Sequence, residues 1–504
     1  MTGWLATILI FLPLAGAVLV WVLPVGRFAG PIALLFALAE IGFWITALGQ
    51  MNFDKPGPVP NFDQRWSWFS DLGVSYHVGF YGFTFWLAGL AVVVMAAAIA
   101  YGFWVGRDRP SAYFGLMLFL TSATVGVFAS KDLLLFYVFF EAMMIPLYLL
   151  IGVWGGPGRL DATIKFVIYT MTGSLLMLAS VIVFGLSAGS FDLVTTGTSD
   201  STWVFLGFLV AFAIKAPLFP LHGWLPDAYR ESSPEVAAVL SGVISKAAVF
   251  GFIRICLFKF PEPFDDFRVL VLALAATGLV YGSLLAFRAP DVRGVIAYSS
   301  LAQMGLITIG IFSVSTAGIS GAVLQSVNHG LISAALFLLA GTIERRTSTG
   351  SFERLGGMAR GRPVLATMLM VTGIIALAVP GSSAFAGEFL ILLGVFGTGW
   401  GWAVAGATGI VLAAMYMLRL ISAVLHRDPG PAVPEAALDL RPAELGIVFP
   451  LVACLLALSA WPAAISGNVG TTVSPTPLRQ LNPSRPNDQP PEGRMDFVTL
   501  GPNR

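Results

Sequence analysis

The chain has 504 residues, 57 % of them hydrophobic and 11 % charged, with a mean hydropathy of +0.84. Soluble domains carry about 25 % charged residues, so most of this chain has no polar face for water, and at about 20 apolar residues per crossing it has length for roughly 14 spans. A net charge of +1 leaves no footprint for nucleic acid, two distant cysteines in apolar runs (Cys256, Cys454) exclude a thiolate cluster or disulfide framework, and four histidines exclude a haem array.

Apolar runs predict spans at 4–24, 29–49, 82–106, 112–130, 132–153, 162–187, 203–220, 235–259, 268–287, 294–314, 317–343, 364–396, 398–420 and 444–465. The expected fold class is an all-α polytopic membrane protein embedded in the lipid bilayer. The first run has no basic stretch before it and stays apolar for a full span, so it reads as a helix and not as a cleaved leader. The stretch from about 467, which includes TTVSPTPLRQLNPSRPNDQPPEGR, is Pro-rich and polar and reads as disordered. Loops on one side collect fourteen arginines, from Arg27 to Arg441, against Lys55, Arg65, Lys131, Lys259 and Arg268 on the other. That bias predicts an even number of spans with both termini outside.

Two spans break the helical rule. Ile214-Lys215-Ala216-Pro217-Leu218-Phe219-Pro220-Leu221-His222 lies in span 7, and Val379-Pro380-Gly381-Ser382-Ser383-Ala384-Phe385-Ala386-Gly387-Glu388-Phe389 lies in span 12. Interrupted helices five spans apart point to two inverted five-helix repeats with a site at the membrane midplane. The repeats would be spans 4–8 (111–260) and 9–13 (261–430), preceded by spans 1–3 (1–110) and followed by span 14 (431–466) and the tail (467–504). Two ordinary proline kinks are the alternative.

Arginine outnumbers lysine 22 to 6, yet Lys165, Lys215 and Lys246 lie inside spans while nearly all arginines lie in loops. Arginine keeps its proton at any physiological pH, whereas lysine gives it up away from water; the choice points to cations that must become neutral. Glu141 and Glu388 accompany them. An isolated mid-helix charge costs about 2.5–3.5 kcal/mol to insert, so these groups should face the bundle interior, paired or hydrated. Glu141 with Lys215 reads either as a contact that switches or as a static ion pair, though a static pair would be served equally well by arginine. His329, beside Gly330, reads as a proton relay or as a satisfied core histidine. His222, after the first break, reads as a relay or as a cap for freed carbonyls. Glu40 and Arg254 read as interfacial or structurally paired.

The stretch KAPLFPLHGWLPDAYRESSPEVAAVLSGVISKAAVFGFIR (215–254) resembles the signature of the antiporter-like membrane subunits of respiratory complex I. That family includes the large subunits of multisubunit cation/proton antiporters and of membrane-bound hydrogenases. APDVRGVIAYSSLAQMGLI (289–307) and SVNHGLISAALFLLAGTIERR (326–346) match two further signatures in the right order, and the resemblance covers roughly residues 80–430. Glutamate at 388, where many relatives carry lysine, resembles the middle, M-type subunit. The resemblance implies 14 helices, with the first three outside the repeats. It implies a proton path through Glu141, Lys215, Lys246, His329 and Glu388; His222 and Lys165 join that path on the reading of the residues alone. No cofactor or metal is expected in this chain; NADH, FMN, iron–sulfur clusters and quinone would belong to the rest of a translocating NADH:quinone oxidoreductase. Partners would be other membrane subunits, above all neighbouring antiporter-like ones, in a bacterial plasma membrane. A sodium/proton antiporter subunit and a non-conducting scaffold stay open. Sodium would want a cluster of oxygen ligands, and a scaffold would tolerate Lys215→Arg.

Overall fold

The computed structural model describes residues 2–55, 59–434, 436 and 438–469, so the tail expected at 467–504 lies almost wholly outside the described residues. The long helices are α1 (Leu5–Val22), α2 (Gly26–Leu48), α3 (Gly82–Val105), α4 (Pro110–Ala129), α5 (Leu133–Trp154) and α6 (Arg159–Ala188). They continue as α7 (Thr202–Lys215), α8 (Leu225–Glu231), α9 (Pro234–Leu257), α10 (Pro261–Arg288), α11 (Val292–Phe312) and α12 (Thr316–Thr347). The last are α13 (Pro363–Ala376), α14 (Ser383–Phe396), α15 (Trp400–His426) and α16 (Pro442–Ala460). Among the described residues, 12 helices are long and apolar enough to cross a membrane, and the chain is a multi-pass membrane protein. At 203–220 and 364–396 the runs are not single continuous helices. α7, α13 and α14 have 14 residues each, about 21 Å at 1.5 Å per residue, short of the roughly 30 Å hydrocarbon core.

The helix starts follow local chemistry. Proline opens α4, α9, α10, α13 and α16, where its missing N–H costs nothing. Asp132, Asp291, Ser315 and Ser382 accept backbone N–H bonds at the starts of α5, α11, α12 and α14, satisfying donors that a helix end leaves free. α9 and α12 are buried along their most apolar windows, whereas α2 and α6 are largely exposed. Leu35, Leu38 and Ile45 on α2, and Ile164, Ile168 and Leu175 on α6, form the apolar outside, which suits lipid or a neighbouring subunit and not water.

One element departs from the all-helical expectation. Within the 50–81 loop, β1 (Asn61–Phe69) pairs antiparallel with β2 (Val74–Phe80), turning at Gly73, whose φ of 68° favours glycine. Asp132 accepts from the Ser75 N–H at 2.9 Å while capping α5, so the hairpin is tied to the bundle at the end opposite Arg107.

Candidate functional site

The buried ionisable groups sit where helices loosen. Pro146 has no N–H for the Ala142 carbonyl, and α5 steps at Met143. Glu141, half-buried, lies just before that step, its Oε1 without a hydrogen-bond partner among the described residues. α7 ends at Lys215, because Pro217 disfavours helical backbone at the residue before it. A cation is favoured at such a carboxyl end. Lys215 is buried, with Nζ 3.2 Å from Met144 Sδ and 4.8 Å from the Phe140 ring centroid. The expected Glu141–Lys215 contact is therefore not made in this structure. Residues from both sides of the α5 step, Phe140 and Met144, stand beside the ammonium instead.

α9 is irregular around Lys246. It breaks at Val243, passes through a 3-10 turn at Ile244–Lys246 and ends in a π-helical stretch, Gly251–Leu257. The break frees the Ser241 carbonyl, which accepts from Lys246 Nζ at 2.7 Å. The same nitrogen stands 2.8 Å from His329 Nδ1 on α12. Two glycines allow this meeting. A Cβ at Gly330 would lie 2.5 Å from the Gly242 carbonyl oxygen, and one at Gly242 would lie 3.0 Å from the Gly330 oxygen; only with glycine at both places do α9 and α12 cross this closely.

A second close crossing builds the far end. A Cβ at Gly387 would lie 2.7 Å from Gln325 Oε1, and this approach sets Glu388, on α14, against α12. Glu388 is buried. Its Oε1 accepts from Gln303 Nε2 at 3.0 Å and from Gln325 Nε2 at 3.3 Å, while Gln325 Nε2 also donates to Gln303 Oε1 at 2.9 Å. Glu388 Oε2 and His329 Nε2 have no partner among the described residues. Both glutamines, His329 and Tyr416 line a cavity of about 20 Å³, large enough for a single water by size. Lys246, His329, that cavity, the glutamine pair and Glu388 thus form one buried polar file. No hydrogen bond among the described residues links Lys215 to Lys246.

Two expected members lie elsewhere. Lys165, read as buried within a span, has an exposed side chain and pairs with Asp227 of α8; it sits two turns inside α6, and its long stem carries the charge outward. His222 does not cap the freed carbonyls. Trp224 Nε1 takes the Ile214 carbonyl at 3.0 Å, and His222, half-buried and stacked on Phe219, has Nδ1 without a partner among the described residues. Arg254 donates to Tyr81 Oη at 2.9 Å, a structural pairing. Glu40 is fully buried on α2 with both carboxylate oxygens unpartnered among the described residues, which is neither of the expected arrangements.

Gln303, Gln325, Tyr416 and Met144 were not legible as site residues. A glutamine within an apolar run is the signal that marks the first two. Glu235, fully buried at the start of α9, is held by Arg107 in a two-pronged pair (2.7 and 2.9 Å) and by Tyr113 Oη at 2.5 Å. Near it, at the arginine-rich end, a cavity of about 740 Å³ is lined by Arg230, Arg293 and Glu344 among others. Among the described residues, no group of three His, Cys, Asp or Glu side chains gathers as metal ligands.

Residues 130–413 match the family described as NADH:quinone oxidoreductase/Mrp antiporter, TM. NADH-quinone oxidoreductase subunit M of Mycobacterium tuberculosis is 36 % identical over 527 residues, with 94 % of each chain covered. A chain of respiratory complex I from Thermus thermophilus with bound NADH superposes with a TM-score of 0.85 at 30 % identity, covering 94 % of this chain and 99 % of that one. A chain of the Mrp complex from Dietzia sp. DQ12-45-1b shares the fold, with a TM-score of 0.83 at 19 % identity over 96 % of this chain and 98 % of that one.

Proposed function

The chain belongs to the NADH:quinone oxidoreductase/Mrp antiporter family of membrane subunits, and on that footing we propose that it is the M-type, proton-translocating subunit of a respiratory complex I. It moves protons across the bilayer while other subunits oxidise NADH and reduce quinone, and it holds no redox centre of its own. The observation that carries this reading is the buried file from Lys246 through His329 and the glutamine pair to Glu388, in which Lys246, His329 and Glu388 can each hold a proton and the glutamines orient the acid.

Lys215 is the loading site. With Glu141 beside it the ammonium keeps its proton. With no carboxylate in contact, as here, the nearest partners of the ammonium are the Phe140 face and the Met144 sulfur, which are poor substitutes for a carboxylate. The α5 step beside Glu141 is the natural hinge for that exchange. A proton leaving Lys215 reaches Lys246 through water that enters transiently, and the Lys246 ammonium then donates to His329 Nδ1. The cavity beyond lets one water carry it to Glu388, the terminal acid. The broken helix α7 with α8, and α13 with α14, each counted as one crossing, complete a 14-span arrangement with repeats at 111–260 and 261–430. The fourteen arginines of one side favour its placement as the cytoplasmic face of a bacterial plasma membrane, both termini outside.

The test is Lys215→Arg in the assembled complex. Guanidinium keeps the charge but never releases the proton, so assembly and NADH oxidation by the uncoupled peripheral subunits persist while proton uptake into sodium-free vesicles is lost. Uptake at the native rate refutes a titrating role for Lys215. Uptake that requires sodium in the unsubstituted complex refutes proton translocation in favour of sodium exchange.

A further inference from the structure

At the arginine-rich end, a second cavity of about 200 Å³ is lined by Trp104, Arg345, Arg346, Arg362, Arg441 and Glu444, with a short loop segment around Pro434. It gathers the end of α3, the end of α12, and the starts of α13 and α16. Among the described residues, four arginines face one glutamate. That glutamate is already used: Arg346 Nη2 and Nη1 reach Glu444 Oε2 and Oε1 at 2.7 and 3.0 Å. The nearby acid, Asp439, accepts the free N–H groups of Val364 and Leu365 at the start of α13, both at 2.9 Å. Arg345 and Arg441 therefore bring charge with no carboxylate ion pair among the described residues, and Arg441 stands 5.6 Å from the Trp104 ring centroid.

Two donors point to what the cavity takes. Arg362 is 2 % exposed, and its Nε has no partner among the described residues, although Nη2 donates to the Pro434 carbonyl at 2.8 Å. Trp104 Nε1 is likewise buried and unpartnered among the described residues. A buried N–H left unmade is costly, and here two of them line one cation-rich cavity. We propose that this cavity is a binding site for a phosphate-bearing anion, with Arg362 and Trp104 as its buried donors and Arg345 and Arg441 as its charge. Guanidinium forks match phosphate oxygens in pairs, and Trp at the end of a membrane helix is the residue expected at headgroup depth. Basic pockets between helix ends on one side of a membrane suit anionic lipid headgroups. A phosphodiester headgroup and free inorganic phosphate present the same oxygens, and the experiment separates them.

The intact complex is extracted in mild detergent, exchanged into phosphatidylglycerol or phosphatidylcholine, and the phospholipid retained per complex is counted by mass spectrometry. A parallel sample is equilibrated with radiolabelled inorganic phosphate. Retention of phosphatidylglycerol over phosphatidylcholine, weakened about fivefold for each arginine removed in Arg345→Gln and Arg441→Gln, supports a lipid headgroup. Saturable phosphate binding lost in the same variants supports free phosphate as the source. Both positions are exposed, so assembly is expected to survive, and Trp104→Phe removes one donor with little change of volume. Equal retention of both lipids and no saturable phosphate, or binding unchanged in all three variants, overturns the site. So does finding it filled by an acidic segment of a neighbouring subunit.

Discussion

At the scale of single residues, the charges were the legible part of the site and the neutral polar groups were not. A lysine or glutamate inside an apolar run stands out because it is costly there. Gln303 and Gln325 carry a smaller penalty, since an amide is neutral, and read like any polar residue that has found a partner. Yet they are the groups that receive Glu388, and the two glutamines, with His329, border the small cavity. Lys165 shows the converse error. Its charge was visible, but its side-chain direction was not, and it lies outside the buried file with Asp227. The glutamine role is testable. Glu388→Gln keeps the shape and the accepted hydrogen bonds but removes the proton, so turnover-coupled proton uptake should fall at least tenfold with the complex still assembled. Gln303→Leu should cost about 1–3 kcal/mol of local stability by stripping a donor from a buried carboxylate, and slow uptake less than Glu388→Gln does. Wild-type uptake in Glu388→Gln would reduce Glu388 to a packing residue.

At the scale of elements, both broken helices were legible because proline and glycine announce themselves, and the structure ends α7 at Lys215 and opens α14 at Ser383 as those residues require. The step in α5 follows the same rule at Pro146 but lay unread within an otherwise continuous apolar run. The hairpin was missed as well, although Val74, Tyr76, Val78 and Phe80 alternate with small or polar residues as a half-buried strand should. Its docking has an electrostatic latch. His77 lies 3.1 Å (Nδ1) from Asp192 and 2.7 Å (Nε2) from Asp63, and Arg65 reaches Asp192 at 3.0 Å. Burial disfavours the His77 imidazolium, but the hydrogen bonds to Asp192 and Asp63 outweigh it and raise its pKa above the ordinary value. Burial likewise opposes the Asp192 carboxylate, but the bonds from His77 and the Val194 N–H and the charges nearby outweigh it and lower its pKa. The His77 contribution is fully present below about pH 6.5 and is lost as pH rises through the raised value. The Asp192 contribution is lost only as pH falls through its lowered value, far into acid. Docking is thus firmest in mildly acidic buffer. Hydrogen exchange across residues 61–80, corrected for intrinsic rate, should become faster on going to alkaline buffer, and His77→Gln should remove that dependence. Protection that does not vary with pH would show that the latch carries no weight.

At the scale of the whole molecule, composition and span counting were enough for a multi-pass helical bundle, because a chain this poor in charge has no other solvent than lipid. What they could not supply is connection. Which lysine meets which partner depends on helix crossings set by Gly242, Gly330 and Gly387, and close approach between glycines distant in sequence leaves no periodic trace. The unmade Glu141–Lys215 contact is the sharpest case, since the two residues were expected to pair inside the bundle and make no ion pair in this conformation. The difference between a mobile switch and a static bridge can be measured with a double-mutant comparison. Removing one partner of a buried ion pair costs about 3–5 kcal/mol, whereas replacing both with apolar residues is often neutral. A static bridge therefore makes Glu141→Ala or Lys215→Ala alone harmful to assembly, and lets the double variant recover assembly and proton uptake together. With Lys215 already resting on Phe140 and Met144, each single variant should assemble at near-native yield on a native gel. The double variant should assemble too and still pump nothing, because no titrating group remains at the loading site. Proton uptake regained in the double variant would refute the switch.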